Sequence, residues 1–203
     1  MSDSYHYFRI RADARDATQL LPRLLARTQP AWAESGAGCW GIWQGLFGIS
    51  SNELLVMAAA PGSRSLAALA EDLPETAVLE DTLALEATVR PERIAPPPEA
   101  GLFVFRFFDV RLEDCDEIVA LSLQAWETFE TSEAYRSRPL GLFRPPADDA
   151  QWPLGRMLLV TWYDGFDSWQ TSRTPAPEAR ENFRRRHALT GGTVAYAVRR
   201  VAG

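Results

Sequence analysis

The feature that most constrains this chain is that its sequence repeats itself. Gly45-Leu46-Phe47 returns as Gly141-Leu142-Phe143, Leu54-Leu55-Val56 as Leu158-Leu159-Val160, and Phe8-Arg9-Ile10 as Phe105-Arg106-Phe107. The spacing returns as well: Phe8 to Gly45 is 37 residues (45 − 8) and Phe105 to Gly141 is 36 (141 − 105). Phe8 to Leu54 is 46 (54 − 8) and Phe105 to Leu158 is 53 (158 − 105), which leaves seven extra residues (53 − 46). They fall in Pro145–Gly155, a turn where an insertion disturbs least and which could fold over a site as a lid through Asp148, Asp149 and Trp152. Such a period reads as two copies of one supersecondary unit.

Each copy reads as β-α-β-β-α-β. Tyr5–Arg11 alternates like a strand. Asp16 and Gln19 resemble a capping box before a leucine-rich helix, in which Pro22 either delays the start or kinks the axis and Pro30 ends or bends it. Cys39–Ala59 holds two strands, Ser65–Asp72 a short helix and Thr82–Val89 a strand. In the second copy Leu102–Val110, Leu140–Arg144, Met157–Tyr163 and Thr193–Val201 are strands. Glu113–Phe129 and Pro177–Leu189 are helices, the latter with acid in its first turn, arginines near its end, and Gly191-Gly192 as its stop.

This order is the ferredoxin-like pattern, in which both helices cover one face of a four-stranded antiparallel sheet. The strands here are apolar on both faces, as in Phe103, Phe105 and Phe107 against Val104 and Phe108. The bare face needs a cover, and the simplest is the sheet of the other copy. The expected fold is therefore α+β: two tandem ferredoxin-like repeats packed sheet to sheet as a single-chain α/β barrel. Residues 1–90 form the first repeat, 91–101 a Pro-rich linker and 102–203 the second repeat.

Composition removes several function classes. A net charge of −6 argues against nucleic acid and anionic membranes as partners, and all 21 basic residues are arginine. Cys39 and Cys115 lack disulfide or zinc spacing, so no metal is expected. No signal segment or membrane-length apolar run occurs, which predicts a cytoplasmic protein. No phosphate loop, nucleophile elbow or HExxH motif occurs either.

On Gly41, Trp43, Gly48, Asn52 and Val56, the stretch from Tyr5 to about Ser63 resembles the NIPSNAP family, a branch of the dimeric α/β barrel superfamily. The resemblance implies the fold and little about activity, because one fold hosts many functions.

Seven residues are candidates for a ligand site. Arg9 and Arg106 look equivalent and, pointing inward, would clamp an anion between them. Trp43, Phe47, Phe143 and Trp162 would line an apolar interior. His187 shares a helical stripe with Ala179 and Phe183; some heme-binding members of the superfamily carry a helical axial histidine, but no heme motif accompanies it and no cofactor is expected. The leading reading is a protein that binds a small apolar or aromatic acid inside the barrel. The alternatives are a cofactor-independent monooxygenase or isomerase on an aromatic or polyketide-like substrate, and an interaction module with a packed core. A homodimer through free sheet edges stays open.

Overall fold

The computed structural model describes residues 2–146 and 153–203, so Asp148, Asp149 and Trp152 of the expected lid lie outside the described residues. The first half runs β1 (Ser4–Ala12), α1 (Leu21–Glu34), β2 (Gly38–Phe47), β3 (Glu53–Ala60), a 3-10 turn (Ala67–Asp72) and β4 (Ala77–Arg90). The second runs β5 (Leu102–Arg111), α2 (Cys115–Phe129), β6 (Ser137–Arg144), β7 (Leu154–Tyr163), α3 (Phe166–Thr171), α4 (Pro177–Ala188) and β8 (Thr190–Ala202). Local chemistry explains the departures from expectation. Asp16 caps a separate 3-10 turn by accepting from the Thr18 amide at 2.9 Å, so α1 begins at Leu21 with Pro22 in its first turn, where no donor is needed. Pro30 does not end α1: it lies on the exposed side, and the carbonyl it leaves free, that of Ala26, is also exposed. Gly191-Gly192 belongs to β8, and α4 stops before it at Ala188.

The eight strands close into one antiparallel barrel in the order β1-β3-β2-β8-β5-β7-β6-β4. Each half supplies four neighbouring strands, β4-β1-β3-β2 and β8-β5-β7-β6, and the pairs β2–β8 and β4–β6 join them. Closure pairs both edges of each strand, so among the described residues the barrel has no free edge of the kind expected for association.

Residues with odd numbers on β1 and β5 face inward. Tyr5, Tyr7, Phe103, Phe105 and Phe107 meet Trp40, Trp43, Leu55, Met57, Phe143, Leu158 and Val160 in one buried cluster. Trp43 packs edge-on against Phe105 with ring centroids 4.9 Å apart, and Tyr5 packs on Phe143 at 4.7 Å. Aromatic rings in mutual contact line the interior. Residues 94–100 cross one end: Trp40 Nε1 donates to the Ala95 carbonyl at 2.8 Å, Arg200 to Pro97 at 2.7 Å and Trp162 Nε1 to Ala100 at 2.7 Å.

The pairing register corrects how the two copies superpose. Leu55 faces both Arg9 and Trp43, while Leu158 faces both Phe107 and Phe143. Arg9 thus corresponds to Phe107, Phe8 to Arg106 and Trp43 to Phe143. The counterpart of Gly141-Leu142-Phe143 is Gly41-Ile42-Trp43, not Gly45-Leu46-Phe47. In both, the strand register shifts just before the glycine, and the aromatic two residues on lays its ring where a glycine Cβ would sit.

Two outcomes follow. Trp43→Ala should cost about 3–5 kcal/mol in urea unfolding, whereas Phe47→Ala, 62% exposed, should change stability by less than about 1 kcal/mol. His6 is buried on the outer face of β1, stacked on Phe8 with Nε2 2.6 Å from Thr82 Oγ1, and burial pulls its pKa from 6.5 down to about 4. The folded state therefore binds its proton later than the unfolded chain, and stability falls as pH drops from 6.5 towards 4. Thermal unfolding of wild type against His6→Gln across that window should show a flatter profile for the variant, by at most about 2 kcal/mol at pH 5.

Candidate functional site

The helix-covered outer faces of the two half-sheets differ. Over the first half, Phe8, Ile10, Val56 and Ala58 pack tightly against Leu24 and Trp32 of α1, with Phe8 and Trp32 stacked at 5.9 Å. Over the second half, the register puts Arg106 where Phe8 stands, Thr161 where Ala58 stands and Tyr163 where Ala60 stands. Here the helices stand away from the sheet and leave a pocket of about 930 Å³. Its floor is Val104, Arg106 and Phe108 of β5 with Leu159, Thr161 and Tyr163 of β7; its walls come from α2, α3 and α4.

Helix geometry brings a charge into this space. On α4, Ala179 and Arg186 are the buried residues. At about 100° per residue, Phe183 and Arg186 lie roughly 40° and 20° to either side of Ala179, and His187 roughly 80° away. Arg186 therefore points inward at 5% exposure, while His187 lines the pocket from an exposed position at its rim. The Arg186 guanidinium lies between two rings, 5.0 Å from the Phe108 centroid and 4.9 Å from that of Phe183. One nitrogen donates to Ser122 Oγ at 3.1 Å, and Ser122 in turn donates to the Ile118 carbonyl at 2.7 Å inside α2. The side chain is pinned.

Arg106 has neither a hydrogen bond nor a carboxylate partner among the described residues. Burial lowers the pKa of both guanidinium groups, Arg186 to about 9 with the Arg106 charge adding to the effect, so both remain protonated at neutral pH. Tyr163 is the reverse: burial raises its phenol, which stays neutral, against the opposing pull of Ser172 and of Arg106, Arg173 and Arg186. Arg173 lies over the Trp169 ring at 6.0 Å, and Arg184 is paired with Glu181 at 2.7 Å. Five arginines line the pocket, Arg106, Arg173, Arg180, Arg184 and Arg186, and no Asp or Glu among the described residues does. In a chain with 27 acidic and 21 basic residues this is a marked local imbalance.

The seven sequence candidates scatter. Phe47, Arg106 and His187 line this outer pocket, Phe47 at its mouth 6.1 Å from Phe166. Trp43 and Phe143 are fully buried inside the barrel, and Trp162 holds Ala100. Arg9 faces the far end of the barrel, where it donates to Tyr196 Oη at 3.2 Å and lies 3.9 Å from Glu53; it does not meet Arg106. Sequence reasoning missed Arg186 and all of α3, which brings Phe166 and Trp169 to the mouth. The Arg186 signal was present: the inward stripe Ala179, Phe183, Arg186 steps by four and three and ends in a charge. No comparable signal marked α3, a six-residue helix. Among the described residues no group of three or more His, Cys, Asp or Glu could hold a metal.

No family model matches the chain, and no curated protein matches it. Its structure is similar to that of a candidate monooxygenase of Fusobacterium nucleatum subsp. nucleatum, with TM-score 0.62, 10% identity, and 98% of this chain and 92% of that one covered. A candidate chlorite dismutase matches with TM-score 0.65, 10% identity and coverage of 99% and 96%. An anthrone oxidase-like protein matches with TM-score 0.59, 14% identity and coverage of 98% and 91%. At such identities the likeness speaks for the fold alone, an α+β closed antiparallel barrel of eight strands carried in one polypeptide.

A buried cation without a counterion is a cost to the fold unless something binds it. Arg186→Met should therefore leave the free energy of urea unfolding unchanged or raise it, by up to about 3 kcal/mol. A loss of stability would instead mark the guanidinium as a structural clasp between α2 and α4.

Proposed function

We propose that this protein binds a small apolar or aromatic acid, not inside the barrel but in the pocket between β5, β7 and helices α2 to α4. The carrying observation is the lining: the buried Arg186 and the half-buried Arg106 stand among aromatic rings, neither with a carboxylate partner among the described residues, and no described Asp or Glu lines the pocket. A volume of about 930 Å³ lies within the range of roughly 300–1,000 Å³ of small-molecule sites. The acid group would sit between Arg106 and Arg186, and the apolar body would lie towards Trp169, Phe166 and Phe47 at the mouth. In this reading Tyr5–Ser63, the stretch with the NIPSNAP likeness, supplies mainly packed scaffold. Among the described residues no helix is long and apolar enough to cross a membrane.

The enzyme alternative draws on the names of the structural neighbours, a candidate monooxygenase and an anthrone oxidase-like protein. Its proton-transfer groups would be Tyr163 and His187, both on the pocket wall. An interaction module suits the packed barrel but leaves the arginine-lined pocket without a purpose.

Fluorescence titration with 1-naphthoate tests the binding reading. Wild type should bind it and bind 1-naphthamide, which lacks the charge, more weakly. Arg106→Met and Arg186→Met should each weaken naphthoate binding by about tenfold or more, while Trp43→Phe leaves it intact. Equal affinity for acid and amide, or no effect of either arginine, would contradict it. A Soret band on adding hemin that vanishes in His187→Ala would replace this reading with a heme site.

A further inference from the structure

The same pocket carries a second inference, which rests on the binding reading above and concerns the charge state of what is bound. A carboxylic acid is ionised before it arrives, whereas an aromatic hydroxyl or an enol at neutral pH is not. What decides its state once bound is the sign and number of charges facing it. From β5 the pocket presents Arg106, from β7 the phenol of Tyr163, from α4 Arg180, Arg184, Arg186 and His187, and from the segment after α3 Arg173. Among the described residues, Arg184 alone of these arginines has a carboxylate partner, Glu181. Arg186 cannot swing away, since Phe108, Phe183 and Ser122 hold it on three sides. The first half of the chain gives the contrast, with Phe8 filling the position that Arg106 takes here.

We propose that this pocket takes up aromatic hydroxyls and enols as their oxyanions. The O–H bond breaks heterolytically, the electron pair stays on oxygen between the two guanidinium groups, and the proton leaves to bulk water through the open mouth. The ligand class thus widens from carboxylates to weakly acidic phenols and enols, and the pocket gains an activity: it holds an electron-rich aryl oxide or enolate that free solution would keep protonated. Fixed cations in a site lined by Trp126, Phe129 and Phe183 need no reorganisation to do this.

The probe is 4-nitrophenol, whose anion is yellow and whose neutral form is not. Protein is titrated into the dye at a pH below the dye's own pKa, with 1-naphthoate binding followed in parallel. The expected result is growth of the yellow band to an apparent dye pKa lower by about one unit or more, tenfold in ionisation, reversed by excess 1-naphthoate. Arg106→Met and Arg186→Met, each checked for native circular dichroism, should lose most of the band; Arg186→Lys, which keeps the charge, should retain part of it. If naphthoate binds but the yellow band does not grow, the oxyanion inference is overturned and the binding reading stands. If the band grows equally in both Met variants, the arginines are not its source and the inference is overturned. If neither ligand binds, both readings go together.

Discussion

The packing of Trp43 on Phe103 and Phe105 is the contact that the rest of the structure leans on. It joins β2 of one half to β5 of the other across the barrel interior, at ring separations of 5.8 and 4.9 Å. Two half-sheets with apolar faces on both sides have few ways to leave water, and facing each other is the one that needs no third layer. Once the inner faces are committed to one another, strand alternation fixes what every other residue does. Phe8, Arg106 and Phe108 must point out towards the helices, whatever their chemistry.

On the outer face the two halves have diverged. The first half spends its outer positions on Phe8, Val56 and Ala58 and closes against Trp32, a second hydrophobic core. The second half places Arg106, Thr161 and Tyr163 at the matching positions and adds Arg186 from α4. Charges of one sign brought together away from water oppose folding unless an anion is supplied. The helices here also leave room for one. A hollow lined by arginines in one half, and solid packing at the matching place in the other, is what sets the two halves apart.

The fold was legible because hydrophobic alternation and internal repetition are strong, redundant signals; the strands, α1, α2, α4 and the closure of the two sheets could be read, whereas α3 and the 3-10 form of the expected helix Ser65–Asp72 could not. Position was less legible. Matching Phe8-Arg9-Ile10 to Phe105-Arg106-Phe107 is off by one residue, and in a strand one residue is the difference between the two faces. That error put Arg9 and Arg106 in one cavity, whereas Arg9 lies at a barrel end near Glu53 and Arg106 lies outside under α4. Whether Trp43 and Phe143 line a void or fill one depends on how neighbouring rings interlock across strands far apart in sequence, which no local pattern encodes. In the sequence His187 stands out by its stripe with Ala179 and Phe183, whereas its neighbour Arg186 reads as one more helix-terminal arginine suited to the dipole.

The proposed placement of the ligand outside the barrel is open to one direct observation. Crystals grown with a bromonaphthoic acid and measured at the bromine absorption edge would locate the ligand by its anomalous peak, with no prior assumption about the pose. The account predicts a single strong peak between β5 and α4, with carboxylate density bridging Arg106 and Arg186. A peak among Tyr5, Trp43 and Phe105, inside the barrel, would contradict it.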